Sequence, residues 1–446
     1  MSYKNQFKET ISLALPVVVT QLGFVMMGVA DSVMVGRIGD APLAASSISV
    51  GFFFIITVVG LGIVMAMTPL VAIAVGSSDR EKCSVVFQQG MWVSFFTGII
   101  LNLITFFGAR LIPYMDQPPE VAQLAVSYTQ IISFSTIPML VFTAYKQFIE
   151  GLSFTRPAMV VAILANFINV FCNWIFIYGN LGFEPMGLDG AGIATLGSRI
   201  FMLISLALFV HKSAEFKRYN LRIFPFKGLN DSGKEILRIG VPSGFQYFFE
   251  VGCFATAAFM VGWIGKDELA SHQIALNVSS ITYLACLGLS TAGTIRVGNA
   301  LGAGDMPGVK KAGSIALFLG AGFMVAAGTS FIILNDLIPK LYTSDAEVVM
   351  FAPKLLMIAA FFQIFDGTQA IALGNLRGIT DVKIPTVITF FAYWVIGLPS
   401  AYLLGFPLGL GTEGVWYGLS VSLIVSSLML NTRFFLKVKQ MSVKTG

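Results

Sequence analysis

The sequence predicts an all-α integral membrane protein with about twelve transmembrane helices, in two six-helix bundles related by a parallel pseudo-two-fold repeat. Three observations support this fold class. The chain is 56% hydrophobic and only 11% charged, and its mean hydropathy is +0.81. Its apolar runs repeatedly reach the ~20 residues that a helix needs to cross a bilayer, and they are continuous rather than alternating, which favours helices over a barrel. The second half of the chain also repeats the pattern of the first.

The internal repeat begins at Pro16 and has an offset of 226 positions, which places Pro16 on Pro242 (242 − 16 = 226). Other glycines and turn residues coincide in the same register, as Gly36 with Gly262, Gly62 with Gly288, Gly76 with Gly302, and Asp79 with Asp305. Such agreement over this distance indicates a duplicated backbone plan.

The apolar runs and the turn residues between them predict six spans in each half. The predicted spans lie roughly at 11–36, 46–75, 86–113, 122–149, 157–179, 190–211, 235–264, 270–298, 311–339, 346–375, 385–405 and 412–434.

Lysine and arginine predict the orientation of the chain in the membrane. With the N-terminus inside, most basic residues fall on the inner side, and Lys146, Arg296 and Arg377 are assigned to the inner loops with them. The outer loops hold few basic residues and several acids. This asymmetry predicts a multi-pass protein of the plasma (inner) membrane with both termini in the cytoplasm.

The one long polar stretch between apolar runs predicts the domain boundaries. Residues 1–211 form an N-terminal six-helix bundle, 212–234 a cytoplasmic linker, and 235–446 a C-terminal six-helix bundle. Because six spans return the chain to the same side, the two halves share one orientation. We therefore expect a repeat axis along the membrane normal and a cleft between the bundles.

The composition argues against several function classes. The net charge of +5 comes from short loops between spans and does not indicate nucleic-acid binding. The four cysteines form no CxxC pair, and the two histidines suggest neither metal nor nucleophilic catalysis. The sequence therefore predicts no enzyme, no cofactor and no nucleic-acid partner.

Three carboxylates stand inside apolar spans, Asp31 in the first, Glu250 in the seventh and Asp366 in the tenth. A charge at the bilayer centre costs about 2.5–3.5 kcal/mol on insertion scales, so such residues face a protein interior or a water-filled cavity. The alternative is a capped or paired acid that only holds helices together. Arg199 in the sixth span is the one obvious basic partner, and could equally be structural.

Asn166, Asn169 and Asn173 form a polar strip in the fifth span, and the last two are four residues apart on one helix face. Amide oxygens and a carboxylate are ligands that suit hard cations. Asparagine also bonds across membrane helices as structural glue. With Asp31 available, the strip favours a cation site.

These features together resemble the multidrug and toxic compound extrusion (MATE) family, in its NorM-like branch. The resemblance covers nearly the whole chain and depends on segments 16–36, 169–178 (NVFCNWIFIY), 270–273, 295–302 and 375–378, with Glu250 and with Asp366-Gly367.

The resemblance implies an antiporter that exports cationic and amphipathic drugs or toxins in exchange for Na⁺ or H⁺ by alternating access. By similarity, the cation-coupling residues are Asp31, Asn169 and Asn173 in the first half, with Glu250 and Asp366 in the second.

The substrate cleft is expected to include Asp31, Glu250, Phe362 and Asp366. Phe362 departs from the family pattern, which tends to have a tyrosine one turn before the tenth-span acid. No cofactor is expected, and the coupling ion is Na⁺ or H⁺. The expected partners are small cationic or amphipathic molecules and the lipid bilayer, and a monomer is expected.

Rival interpretations differ in what they require of the membrane interior. A lipid-linked oligosaccharide flippase of related architecture needs a strongly basic cleft for pyrophosphate, whereas the ionisable groups here are mainly acidic. A membrane-embedded enzyme needs clustered catalytic residues, and a channel needs a filter-like loop. Neither pattern is found in the sequence.

Overall fold

The computed structural model describes residues 3–222 and 228–445, and within these ranges the chain is helical without β-strands. Eleven helices of this described part are long and apolar enough to cross a membrane, or twelve if one bent pair counts as a single span. The predicted fold class is therefore confirmed.

The helices of the first half are α1 (Tyr3–Gly36), α2 (Asp40–Met65), α3 (Met67–Gly76), α4 (Arg80–Gly108), α5 (Pro119–Ser133), α6 (Thr136–Gly151), α7 (Arg156–Phe176), α8 (Gly187–Lys212) and α9 (Ala214–Lys217), with a 3₁₀ segment at Ala109–Tyr114. Those of the second half are α10 (Asp231–Ile264), α11 (Lys266–Gly302), α12 (Met306–Ile333), α13 (Ile338–Tyr342), α14 (Ala346–Gly378), α15 (Lys383–Phe390), α16 (Leu398–Gly405) and α17 (Gly411–Thr445), with a π-helical segment at Phe391–Gly397.

The bent pair is α5 and α6, which meet at an angle of 42° where the sequence predicts one continuous span. At the bend the hydroxyls of Ser133 and Ser135 bond to the carbonyl oxygens of Gln130 and Ile132. Pro138, in the first turn of α6, has no N–H to continue the ladder. Serine back-bonding and proline are both known causes of helix bends.

The repeat extends to the conformation of the turns. Ser78, at φ 60°, occupies the position that Gly304 occupies 226 residues later at φ 71°. The next residue in each turn caps a helix: Asp79 accepts from the Lys82 N–H of α4, and Asp305 accepts from the Gly308 N–H of α12. A side-chain oxygen at this position satisfies an N–H that the helix leaves unpaired.

The chain forms two compact units. The first unit is Val19–Gly244, and the second unit is Met1–Val18 together with Phe245–Gly446. The start of α1 thus belongs to the second unit, and the start of α10 to the first. The predicted division at 211 and 234 stays a prediction, and residues 223–227 of the predicted linker lie outside the described residues.

Glycines allow close helix packing at equivalent places in the two units. In the first unit, a Cβ added to Gly62 of α2 would lie 2.3 Å from the Gly244 Cα of α10. In the second unit, a Cβ added to Gly288 of α11 would lie 2.4 Å from a Val18 methyl carbon of α1. The repeat offset relates both members of the pair, because 62 + 226 = 288 and 18 + 226 = 244.

Gly62→Ala should therefore destabilise the protein, because the new methyl group collides with backbone that has no rotamer by which to move away. Overpacking of this kind costs about 1–3 kcal/mol, which corresponds to a fall in melting temperature of roughly 1–3 °C for the detergent-purified protein. Gly51→Ala is the matched control on the same helix, since a Cβ there meets nothing within 4 Å. Equal melting temperatures for the two variants would contradict this packing argument.

Three basic residues assigned to inner loops are not loop residues. Lys146, Arg296 and Arg377 lie within α6, α11 and α14, with side chains largely removed from solvent. Lys146 pairs with Glu150 at 2.9 Å, and Arg296 lies 3.4 Å from Glu9. Burial of these charges is tolerable because each has a polar partner, and hydropathy averaged over a span does not detect such pairing.

Candidate functional site

The predicted first-half residues come together within the first unit. Asn173 of α7 donates its amide N–H to Asp31 Oδ1 of α1 at 2.6 Å, and the same amide nitrogen lies 3.2 Å from Asn169 Oδ1. Thr195 of α8 donates its hydroxyl to Asp31 Oδ2 at 3.0 Å. Both asparagines are fully buried, and Asp31 is 8% exposed. The first-unit site therefore consists of Asp31, Asn169, Asn173 and Thr195.

Two further hydrogen bonds join α7 and the turn that follows it to α1, on either side of this site. Asn166 donates to the Gly23 carbonyl at 2.9 Å, and Tyr178 donates to the Met34 carbonyl at 2.8 Å. Asn166 thus bonds helix to helix, which is the structural alternative raised for the whole strip. The other two asparagines of the strip, one and two turns further on, are joined to the Asp31 carboxylate.

Arg199 acts on the Asp31 carboxylate without forming an ion pair with it. Its guanidinium donates to Ser135 Oγ at 2.6 Å and lies 4.9 Å from the centre of the Phe53 ring. The Arg199 charge still interacts electrostatically with Asp31. Asp31 is therefore not locked to a basic neighbour.

Two polar atoms of the first-unit site have no hydrogen-bond partner among the described residues, Asn169 Nδ2 and Asn173 Oδ1. Buried polar groups without partners are rare, and each calls for an explanation. An amide oxygen beside a carboxylate and a hydroxyl is a donor set that fits a hard cation.

The two predicted acids of the second half come together within the second unit. Tyr283 of α11 donates its hydroxyl to Glu250 Oε1 of α10 at 3.0 Å. Asp366 of α14 is 7% exposed, and its Oδ1 atom has no hydrogen-bond partner in the described chain. The Glu250 charge acts directly on Asp366. Two buried carboxylates that interact electrostatically, one with an oxygen that lacks a hydrogen-bond partner among the described residues, favour a shared cation or proton. We call Glu250, Asp366 and Tyr283 the second-unit site.

The hydroxyl groups of both sites were not predicted from the sequence. Tyr283 and Tyr393 both interact electrostatically with Glu250 and Asp366. The missed hydroxyl of the first-unit site belongs to Thr195, which lies one turn before Arg199 on the same helix. This one-turn spacing from Arg199 is a sequence feature that could have identified Thr195. Nothing in the sequence pointed to the two tyrosines.

Phe362 lies in the core of the second unit. Its side chain is 2% exposed, and its ring packs edge-to-face on Trp416 with 5.3 Å between ring centres. Its assignment to a substrate cleft stays a prediction.

Comparison with known proteins matches this chain to one family. The family model described as MatE matches twice, at residues 16–175 and 242–403. The two matches begin 226 positions apart (242 − 16), which is the offset of the internal repeat.

Two curated relatives are similar over almost their whole length. The probable multidrug resistance protein NorM of Rhizobium meliloti is 34% identical, with 99% of this chain and 96% of the relative covered. The multidrug resistance protein NorM of Photobacterium profundum is 33% identical, with 97% and 96% covered. The solved eukaryotic MATE transporter AtDTX14 superposes with a TM-score of 0.88 at 23% identity, covering 97% of this chain and 96% of that one, which shows a shared fold.

Proposed function

The chain belongs to the multidrug and toxic compound extrusion (MATE) family, in its NorM-like branch, and on that premise we propose that it is a secondary active multidrug efflux antiporter. It exports cationic or amphipathic drugs and toxins in exchange for Na⁺ or H⁺ by alternating access. Family membership indicates a multi-pass membrane transporter rather than an enzyme. Residence in the inner membrane, cytoplasmic termini and a monomeric state are parts of the proposal.

One observation carries the proposal most directly. Asp31, Glu250 and Asp366 are each more than nine-tenths buried within apolar spans, and none of them forms an ion pair in the described part of the chain. A buried carboxylate without a basic partner is costly unless it takes up a proton or binds a cation. An organic cation and a coupling ion can both meet that requirement.

Competition for these carboxylates provides the coupling. Two ligands that bind independently do not change each other's affinity. Exchange therefore requires that binding of the ion excludes binding of the drug, and the reverse. A positive elementary charge that moves into the cell releases about 2.3 kcal/mol of free energy per 100 mV of membrane potential. Uptake of two ions for each monovalent drug cation is then favoured by the potential.

The flippase alternative would need basic side chains where this protein has acids. A pyrophosphate carries several negative charges, and Asp31, Glu250 and Asp366 would repel it. Arg199 and Arg377 bond instead to the hydroxyls of Ser135 and Tyr247. These contacts favour a cationic substrate.

The proposal is tested by drug efflux from everted vesicles under two conditions. In the first, sodium is removed at fixed pH; in the second, the proton gradient is collapsed at fixed sodium. Loss of efflux in either condition identifies the coupling ion. Undiminished efflux when sodium is removed and the proton gradient is collapsed together would exclude ion-coupled antiport.

Thr195→Val should weaken coupling in the first-unit site, because the Asp31 carboxylate loses one of its two hydrogen-bond donors while the side-chain volume is conserved. One hydrogen bond to a charged group is worth about 1.5–3 kcal/mol, so we expect the apparent affinity for the coupling ion to change by about tenfold or more. The readout is the ion concentration at half-maximal efflux.

Ser198→Ala is the matched control for this variant. Ser198 lies one turn away on α8, and its hydroxyl bonds to the Ala194 carbonyl of its own helix. Equal ion dependence in the two variants would mean that Thr195 takes no part in the site.

A further inference from the structure

The π-helical segment Phe391–Gly397 interrupts a span that the sequence predicts as one regular helix at 385–405. Such segments are rare and often occur at functional sites. The extra residue in the helical turn changes the direction in which a side chain points. Here the segment carries Tyr393, whose side chain is fully buried. Its hydroxyl donates to Gln369 Oε1 of α14 at 2.9 Å.

Gln369 follows Asp366 by three residues on α14, so the two side chains lie on adjacent positions of one helix face. Gln369 is also fully buried. Its Nε2 atom and the Asp366 Oδ1 atom both have no hydrogen-bond partner among the described residues. An unsatisfied donor and an unsatisfied acceptor thus belong to residues three apart on one helix face, and each costs about 1–3 kcal/mol while it stays unpaired.

The two ends of a glutamine amide differ in chemistry but hardly in size. Rotation about the last side-chain bond exchanges a double donor for an acceptor without moving other atoms. Tyr393 fits either arrangement, because a phenol hydroxyl both donates and accepts. The Tyr393 hydroxyl also interacts electrostatically with Glu250 and Asp366. Its hydrogen bond to Gln369 therefore places the Gln369 amide beside the second-unit site.

We propose that Gln369, oriented by Tyr393, is a neutral oxygen ligand for Na⁺ in the second-unit site. With Na⁺ bound, the amide oxygen faces the ion; without it, the amide oxygen accepts from the Tyr393 hydroxyl, as in the structure. This inference rests on the proposed antiport function. It also accounts for Phe362, since a neutral oxygen from Gln369 compensates for the hydroxyl that a tyrosine there would supply.

The two candidate coupling ions, Na⁺ and H⁺, differ in the ligands that they require from the protein. Na⁺ binds several oxygens at once, as hard cations do, whereas a proton on Asp366 needs none from a neighbour. Removing the amide should therefore weaken Na⁺ binding more than it weakens proton-driven transport.

The test measures ²²Na⁺ binding to the purified full-length protein, together with proton-driven efflux from sodium-free proteoliposomes. Gln369→Leu should raise the Kd for Na⁺ about tenfold or more, and Tyr393→Phe about three- to tenfold, since each loses a polar contact to the site. Proton-driven efflux should fall by a smaller factor than the Na⁺ affinity in both variants, because a proton on Asp366 needs no oxygen from Gln369. Gln369→Glu keeps an oxygen at the same place and should retain Na⁺ binding.

Gln363→Leu is the matched control, a buried glutamine one and a half turns earlier on α14. Its two amide ends are already bonded, to Thr282 Oγ1 and to the Met324 carbonyl, so any change in its stability should not alter the Kd for Na⁺. An unchanged Kd in Gln369→Leu would overturn the inference. So would an equal loss of Na⁺ binding and proton-driven efflux, which indicates damage to the fold.

Failure of the inference differs from failure of the proposed function. A wild-type protein that exports drugs with protons but binds no Na⁺ would overturn the role of Gln369 and leave antiport standing. A wild-type protein that shows no ion-driven efflux would overturn antiport. The Na⁺ binding measurement still decides on Gln369 in that case.

Discussion

Asp366→Asn should reduce ion-driven drug efflux at least about 100-fold, because the substitution removes the charge and keeps the shape of the side chain. The Asp366 Oδ1 atom has no hydrogen-bond partner in the described chain, so this carboxylate has no structural bond to lose there. A hundredfold loss corresponds to about 2.8 kcal/mol of coupling free energy. The measurement is efflux from everted vesicles at matched protein levels.

The control for Asp366→Asn is Asp305→Asn. Asp305 caps α12 by accepting from the Gly308 N–H at 2.9 Å, and asparagine caps helices about as well as aspartate. The same chemical change should therefore have little effect there. Glu250→Gln should also reduce ion-driven efflux, and normal ion-driven efflux in both variants would remove the second-unit site from the mechanism.

Asp31→Asn is expected to have the second-largest effect, a loss of ion dependence and at least about a 30-fold fall in efflux. The fold should survive, because the new amide can still accept from Asn173 while the Thr195 hydroxyl turns to accept from it. The negative charge that attracts the cation is lost. The measurement is the same efflux assay, repeated over a range of sodium concentrations and pH values.

The control for Asp31→Asn is Asp79→Asn, the helix cap that the repeat relates to Asp305. It makes the same change of charge in the same unit, outside the first-unit site. If Asp31→Asn kept a normal ion dependence, Asn169 and Asn173 would be packing residues rather than ligands.

Sequence patterns of short period predicted part of both sites. The i,i+4 spacing of Asn169 and Asn173 placed them on one helix face, where the structure has them joined to Asp31. The exceptional cost of a charge in an apolar span singled out Asp31, Glu250 and Asp366. Each of these features lies within a single helix, so the sequence of that one span is enough to reveal it.

The residues that the sequence could not predict come from contacts between helices. Tyr283 and Tyr393 are common residue types in a membrane span, and only the packing of α11 and the π-helical segment brings them to the acids. The assignment of the start of α1 to the second unit had no sequence signal either, although Gly288, which packs against it, was identified as a repeat residue.

The central claim is that an inorganic ion and a lipophilic cation displace each other from the buried carboxylates. The most direct measurement is equilibrium binding of radiolabelled tetraphenylphosphonium to the purified protein, titrated with Na⁺ at fixed pH and with acid at fixed Na⁺. We predict that at least one titration releases the probe, and that Asp366→Asn or Asp31→Asn reduces this release. Probe binding that neither Na⁺ nor protons alter would contradict the account.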